Sequence, residues 1–170
     1  AAKQQHLDLS YEMSGSIFTT LSVSNLRGIP TEPGPVQRLE IGTLNLRYSL
    51  IGLMRHGLPG FLKLADARNV YVEVTPGEPL PPEKERKPQQ FKFPALFPDL
   101  LNIENVNFIA RGPNGNTELA GLSFSLLPDR PGILKIQTLD IPGVHRWTEV
   151  SGATTFRDRN LVLTDLTIGS

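Results

Sequence analysis

Apolar and polar residues alternate along most of this chain, a period-2 pattern that predicts β-strands with one face turned away from water. The pattern starts with Leu7, Leu9 and Met13, which are separated by polar neighbours. Further strands are predicted over residues 17–26, 39–46, 62–74, 101–110, 118–127, 134–141, 149–156 and 161–168. The chain holds 15 glycines and 15 prolines, which favour turns over long helices. We therefore predict an all-β fold.

Two short segments depart from the strand pattern. Ser49 is a suitable helix N-cap, apolar residues follow it at helical spacing, and Gly57 is placed to end the helix. Residues 94–100 form a second helical candidate. The prediction is thus one or two short helices among the strands.

An eight-residue pattern recurs in four of the predicted strands. It reads apolar, any, apolar, any, any, apolar, any, apolar, and a partial copy covers residues 21–26. Its apolar positions are Leu39, Ile41, Leu44, Leu46, Leu101, Ile103, Val106, Phe108, Leu134, Ile136, Leu139, Ile141, Leu161, Leu163, Leu166 and Ile168.

The two-residue gap inside this octet has a structural meaning. One extra residue in a flat strand moves all later side chains to the opposite face, so the phase is restored only by a bulge or bend. Strands bent at the same level form a curved, twisted antiparallel sheet. We predict that the sixteen octet positions line an open apolar groove on that sheet.

A β-sandwich is the alternative, in which the apolar face is covered by a second sheet and forms an ordinary core. The chain offers little to cover the face, because only weak helical segments and no second class of strand accompany the octets. This difference favours the open groove.

The predicted organisation has three parts. Residues 1–74 hold the first strands and the short helix, which we expect to cap one end of the groove, and residues 93–170 hold a second set of strands that continues the same sheet. Between them, residues 75–92 are rich in proline and charge and predict a solvated loop. The run Glu83 to Lys87 alternates in sign, unlike the basic clusters that bind anionic lipid.

Composition excludes several classes of function. Seventeen basic and seventeen acidic residues leave no surplus of positive charge, which argues against nucleic acid as a partner. The absence of cysteine excludes disulfides and thiolate sites. No apolar run reaches the length of a membrane span, and residues 1–5 lack the features of a signal peptide. We therefore expect any membrane anchor to lie outside this sequence.

Candidate chemistry is sparse. His6, His56 and His145 do not lie at metal-ligand spacing, and phosphate-binding loops and nucleophile elbows are absent. Asp158 and Asp165 could meet across a hairpin, but carboxylates near turns are usually solvated. We expect no enzyme activity, no catalytic residues, no metal and no cofactor.

Several segments of the chain resemble the N-terminal region of AsmA-like and TamB-like proteins of the bacterial envelope. In that family a strand leads into a short helix, and a strand pair with alternating valines follows. The matching segments are residues 39–57, 62–64, 70–74, 101–108, 120–122 and 161–168.

The resemblance implies a function in lipid traffic. Members are anchored in the inner membrane, extend through the periplasm and form a β-taco groove linked to phospholipid transport to the outer membrane. The expected partner is therefore phospholipid, bound along the octet positions. TamB-like members are also linked to an Omp85-type outer-membrane protein, so a β-augmentation scaffold in outer-membrane protein assembly is the alternative. An extracellular, adhesin-like sandwich remains a third possibility.

Overall fold

One mixed β-sheet contains all the strands in the part of the chain that the computed structural model describes, which is residues 7–16, 18–75, 96–157 and 160–169. A seven-residue helix, α1 (Leu50–His56), and a 3-10 helix over Leu58–Gly60 join two of the strands. The nine strands are β1 (Leu7–Gly15), β2 (Thr20–Pro30), β3 (Val36–Tyr48), β4 (Leu62–Val74), β5 (Leu100–Gly112), β6 (Gly115–Leu126), β7 (Gly132–Ile141), β8 (His145–Arg157) and β9 (Asn160–Gly169).

The strands lie side by side in the order in which they occur along the chain. The sheet is open and curved and does not close into a barrel, so the predicted all-β class with few helices is confirmed. A second sheet, which the sandwich alternative requires, is not present among the described residues.

The prediction of a wholly antiparallel sheet is wrong at one junction. β4 and β5 run parallel, with Leu64 opposite Leu100 and Val74 opposite Ala110. A parallel pair requires the chain to return to the starting end of the first strand. The 25 residues between the two strands make this return, and the predicted loop over 75–92 falls here, outside the described residues apart from Thr75.

The helix predicted after Ser49 is confirmed, including both of its ends. The Ser49 hydroxyl accepts a hydrogen bond of 2.9 Å from the backbone N–H of Gly52, and Gly57 ends the helix with a φ of 70°. The second helical candidate is wrong where it is described, because residues 96–99 are not helical and Leu100 begins β5. The backbone N–H of Asp99 instead donates to the carbonyl of Leu62.

β2 extends beyond residue 26, where the sequence pattern predicted the strand to end. β2 continues to Pro30, because its last residues pair with the start of β1, Asp8 opposite Ile29 and Leu7 opposite Pro30. Pro113 and Asn114 form the two-residue turn between β5 and β6, where Gly112 lies opposite Gly115.

Few hydrophobic side chains in the described part of the chain are buried. Among the described residues, only Leu62, Leu126 and Val150 fall in this class. The fold is therefore held together by continuous strand ladders and by half-buried side chains, rather than by a closed core between two layers.

Candidate functional site

Apolar side chains of neighbouring strands stand directly opposite one another across the sheet, and residues that pair in this way share a face. One unbroken row crosses six strands through Leu39, Val72, Phe108, Leu119, Leu139 and Trp147. A second row joins Val23, Leu44, Ala67, Ile103, Phe124 and Leu134. We call the side of the sheet that carries these rows the apolar face.

The register places all sixteen octet residues on the apolar face. Those of β3, β5 and β7 belong to the cross-strand rows. In β9, Leu161 lies opposite Phe156, Leu163 lies opposite Thr154, and Leu166 approaches Gly152. The twelve octet residues of β3, β5 and β7 are half-buried, and the four in β9 are exposed.

A line of bends crosses the strands at the level of the octet gap. Asn25, Asn69 and Asn105 all adopt left-handed backbone conformations, with φ between 52° and 56°. Asn69 and Asn105 lie in neighbouring strands, and the Asn105 amide donates a 2.8 Å hydrogen bond to the Asn69 side-chain oxygen. In β3 this level is occupied by Gly42, and a side chain at this position would crowd the side chain of Asn69.

The same line continues through the second half of the sheet. Gly121, Glu149 and Asp165 also have positive φ values, of 63°, 52° and 53°. The Asn107 side chain stabilises the bend in β6, since its oxygen accepts the backbone N–H of Gly121. The strands therefore change phase together, and their apolar side chains return to one face beyond the bend.

Part of the apolar face was not predicted from the sequence. β4 carries a further copy of the octet through Ala65, Ala67, Val70 and Val72, which was overlooked because two of its apolar positions are alanines. β6 and β8 contribute residues whose octets are incomplete. These additional residues are Leu119, Leu122, Phe124, Leu126, Trp147 and Val150. These strands could have been recognised by the two-residue gap of the octet, which ends at Asn69 in β4, at Gly121 in β6 and at Glu149 in β8.

The sheet curls towards its apolar face at one end, which we call the helix end because α1 joins β3 to β4 there. Thr154 of β8 reaches across Gly132 of β7, and its hydroxyl donates a 2.5 Å hydrogen bond to the Ser125 carbonyl of β6. Any side chain at position 132 would collide with that carbonyl. The Phe97 ring, just before β5, contacts Phe156 of β8 at 5.1 Å, so the chain covers the apolar face at this point.

Beyond the helix end, no second layer among the described residues covers the apolar face. Eight spacings of about 4.8 Å between nine strands give it a width of roughly 38 Å. An acyl chain in one bilayer leaflet extends over roughly 15 Å, half of the hydrocarbon core. The apolar face is therefore large enough for more than one acyl chain.

The opposite face of the sheet is polar and tied by hydrogen bonds. Asp66 of β4 is buried, accepts a 2.6 Å hydrogen bond from the Asn102 amide, and pairs with Arg68 at 3.1 Å. Burial by itself raises the pKa of Asp66. The hydrogen bonds from Asn102 and Arg68 lower the pKa and outweigh the effect of burial, so the pKa of Asp66 lies below its ordinary value. This network joins β4 to β5 across the parallel junction.

A second network crosses the same junction nearer the other end. Arg111 of β5 pairs with Glu73 of β4 at 2.5 Å, and the Tyr71 hydroxyl donates to Glu73 at 3.0 Å. These two hydrogen bonds, that from Arg111 first, lower the pKa of Glu73, while burial and the bond to Glu73 raise the pKa of Tyr71. The charges on this face serve to hold strands together.

The described residues hold no cluster of histidine, cysteine or carboxylate side chains suited to a metal. His145 lies edge-on to Trp147 at 4.9 Å on the surface, and His56 occupies the last turn of α1. His6 and Asp158 lie outside the described residues. Within the described ranges, the helices are too short to cross a membrane.

Comparisons with protein-family models, with curated proteins and with solved structures give no significant match to this chain.

Proposed function

We propose that this chain is a segment of an AsmA-like or TamB-like envelope protein. In this proposal the parent protein is anchored in the bacterial inner membrane, and this segment stands in the periplasm. Its apolar face holds or conducts phospholipid acyl chains between the inner and outer membranes. The observation that carries the proposal is that sixteen apolar residues, identified by one sequence pattern, share a single face that is largely uncovered.

The chemistry of the face suits acyl chains. Burial of a methylene group contributes about 0.8 kcal/mol, so contact with about ten methylenes supplies roughly 8 kcal/mol without a single directional contact. A catalytic group is not needed for this function. The half-buried octet residues also leave the face exposed enough to water for a lipid to displace that water.

The test is the lipid content of the purified protein, measured by native mass spectrometry and by extraction. Ile103→Lys places a charge on the apolar face of β5, and we expect at least about a fivefold loss of lipid, because the ammonium must stay hydrated. Ile109→Lys is the matched control. Ile109 is also a half-buried isoleucine of β5, but it lies on the polar face, opposite Glu118.

Two outcomes would contradict the proposal: wild-type protein without lipid, or equal loss in both variants. If Ile103→Lys lowers the stability of the fold, Leu163→Lys replaces a side chain that is 47% exposed and isolates the effect on lipid. A photo-crosslinker at Phe108 gives a further measurement in cells.

The exposed edge of the sheet favours a second candidate function. β9 pairs with β8 on one side only, and its residues 161–168 are all exposed, with Asp165 as their single charge. Such an edge can accept a partner's strand by β-augmentation, as in assembly of outer-membrane proteins with an Omp85-type protein. Thr164→Pro should then abolish crosslinks from Val162 to a barrel protein while leaving the lipid content unchanged.

A further inference from the structure

A group of exposed apolar side chains lies at the helix end of the sheet, outside the edge strands β1 and β9. In α1, Ile51 is 65% exposed and Met54 is 86% exposed. Leu50, Leu58, Phe18 and Leu96 at the same end are also exposed, between 45% and 58%. These six residues, which we call the apolar tip, are too many to be scattered surface hydrophobics.

The connections between strands bring these residues to the same end. Phe18 precedes β2, and the neighbouring Thr19 carbonyl accepts the backbone N–H of Tyr48, just before α1. Leu96 lies close to the start of β5, where the backbone of Asp99 is bonded to Leu62. The tip is rigid at its base, because Gly52 and Gly60 pack backbone against backbone and Tyr48 stacks on Phe61 at 4.9 Å.

The charge around the tip is positive. From Arg47 to Lys63 the chain holds Arg47, Arg55, His56 and Lys63 but no carboxylate. Lys63 is paired with Asp99 at 2.7 Å, whereas Arg47 and Arg55 are exposed and form no ion pair within the described residues. Exposed apolar side chains flanked by unpaired arginines match the surface of an anionic bilayer, in which the apolar groups insert and the guanidinium groups meet lipid phosphates.

We propose that the apolar tip docks on an anionic membrane surface, with Ile51 and Met54 inserted and Arg55 at the headgroups. This proposal does not rest on lipid binding by the apolar face. A bilayer fits better than a protein partner because Lys63 neutralises the nearby Asp99, which leaves Arg47 and Arg55, in the described part of the chain, as unpaired cations beside the exposed apolar side chains.

The experiment is co-sedimentation of the protein with vesicles of phosphatidylcholine alone and of an equimolar mixture with phosphatidylglycerol. We expect binding to the mixed vesicles that weakens with salt. The double variant Ile51→Gln, Met54→Gln should weaken this binding at least about tenfold, because two inserted side chains lose their apolar burial. Arg55→Gln should weaken it about fivefold on mixed vesicles and hardly at all on phosphatidylcholine.

The matched control is Ile29→Gln, Val144→Gln. These residues are 65% and 68% exposed but lie at the opposite end of the sheet, so their replacement should leave vesicle binding unchanged. The proposal would be overturned if the wild-type protein bound neither type of vesicle, or if the tip and control variants lost vesicle binding equally. Lipid content of the same samples, measured by extraction, tests the apolar face separately, so either proposal can fail alone.

Discussion

Asp66 shows at the scale of one residue how the polar face stabilises a sheet that lacks a closed core. Its carboxylate is buried, and it receives the Asn102 amide from the neighbouring strand and Arg68 from its own. A buried carboxylate that is paired in this way is stabilising in its charged form, whereas a buried carboxylate without partners would be costly. The ionised Asp66 thus contributes to the stability of the parallel junction between β4 and β5.

We predict that stability depends on pH through Asp66. Because the pKa of Asp66 is lowered in the fold, its contribution is fully present above the unfolded value of about 3.9 and is lost as pH falls through the folded pKa. Asp66→Asn should cost about 1–2 kcal/mol at pH near 7, and the difference from wild type should shrink towards acid pH. Urea unfolding at a series of pH values measures both effects.

Asp140→Asn provides the control for this prediction. Asp140 lies 4.0 Å from Arg146, and the side chains of Asp140 and Arg146 are 38% and 66% exposed, so we expect a change of less than about 0.5 kcal/mol. A loss at Asp66→Asn that stays constant down to acid pH would contradict the role of its ionisation.

The strand is the next scale, and its distinctive feature is the bend shared by neighbouring strands. The octet identified the level of this bend from the sequence alone, because the phase of apolar residues has to reset where a strand stops being flat. The sequence did not reveal which residue takes the left-handed conformation. Asparagine does so in β2, β4 and β5, but Glu149 and Asp165 take it elsewhere, where neighbouring strands dictate the conformation.

Asn69 tests the bend directly. A β-branched residue is strongly disfavoured at positive φ, so Asn69→Val should destabilise the fold by about 2 kcal/mol or more. Asn69→Gly keeps the backbone conformation and loses the bond to Asn105, so its cost should be smaller, about 1 kcal/mol. Chemical denaturation gives both values.

The same substitution at Asn116 controls for the change of side chain. Asn116 lies in β6, is exposed and has no positive φ, so Asn116→Val should be close to neutral. If valine is tolerated at position 69 as well as at 116, the bend is not set by the conformation of Asn69.

Local patterns predicted the individual elements better than their assembly. Ser49 and Gly57 defined α1 correctly because capping is decided within a few residues. The parallel junction was missed because it depends on the path of the chain over 25 residues between β4 and β5. The shared face of the sixteen octet residues was predictable, since their phase is encoded in each strand. The curl at Gly132 was not, because it needs Thr154 and Ser125 from two other strands.

At the scale of the whole molecule, stability is spread unevenly across the sheet. β1 and β9 each pair on one side only and are almost wholly exposed, whereas β2 to β8 have neighbours on both sides. Regions with few buried contacts open at low free energy, so protection should rise from the edges towards the centre.

Native-state hydrogen exchange should show this gradient. We expect backbone amides of β1 and β9 to exchange at least about a hundredfold faster than those of β4 and β5, which corresponds to about 2.7 kcal/mol. The measurement is made at two protein concentrations, so that protection by edge-to-edge association is recognised. Uniform protection at low concentration would contradict the gradient.

The strictly sequential order of the strands has an evolutionary consequence. Each strand pairs with the strands that precede and follow it in the chain. A duplicated hairpin added at either edge of the sheet would therefore pair with the existing edge strand and disturb no existing contact. Each such duplication would extend the apolar surface by roughly 10 Å, two strand spacings. Repeat-like architectures of this kind can be lengthened stepwise, and the width of the apolar face would then be set by the number of hairpins that the gene encodes.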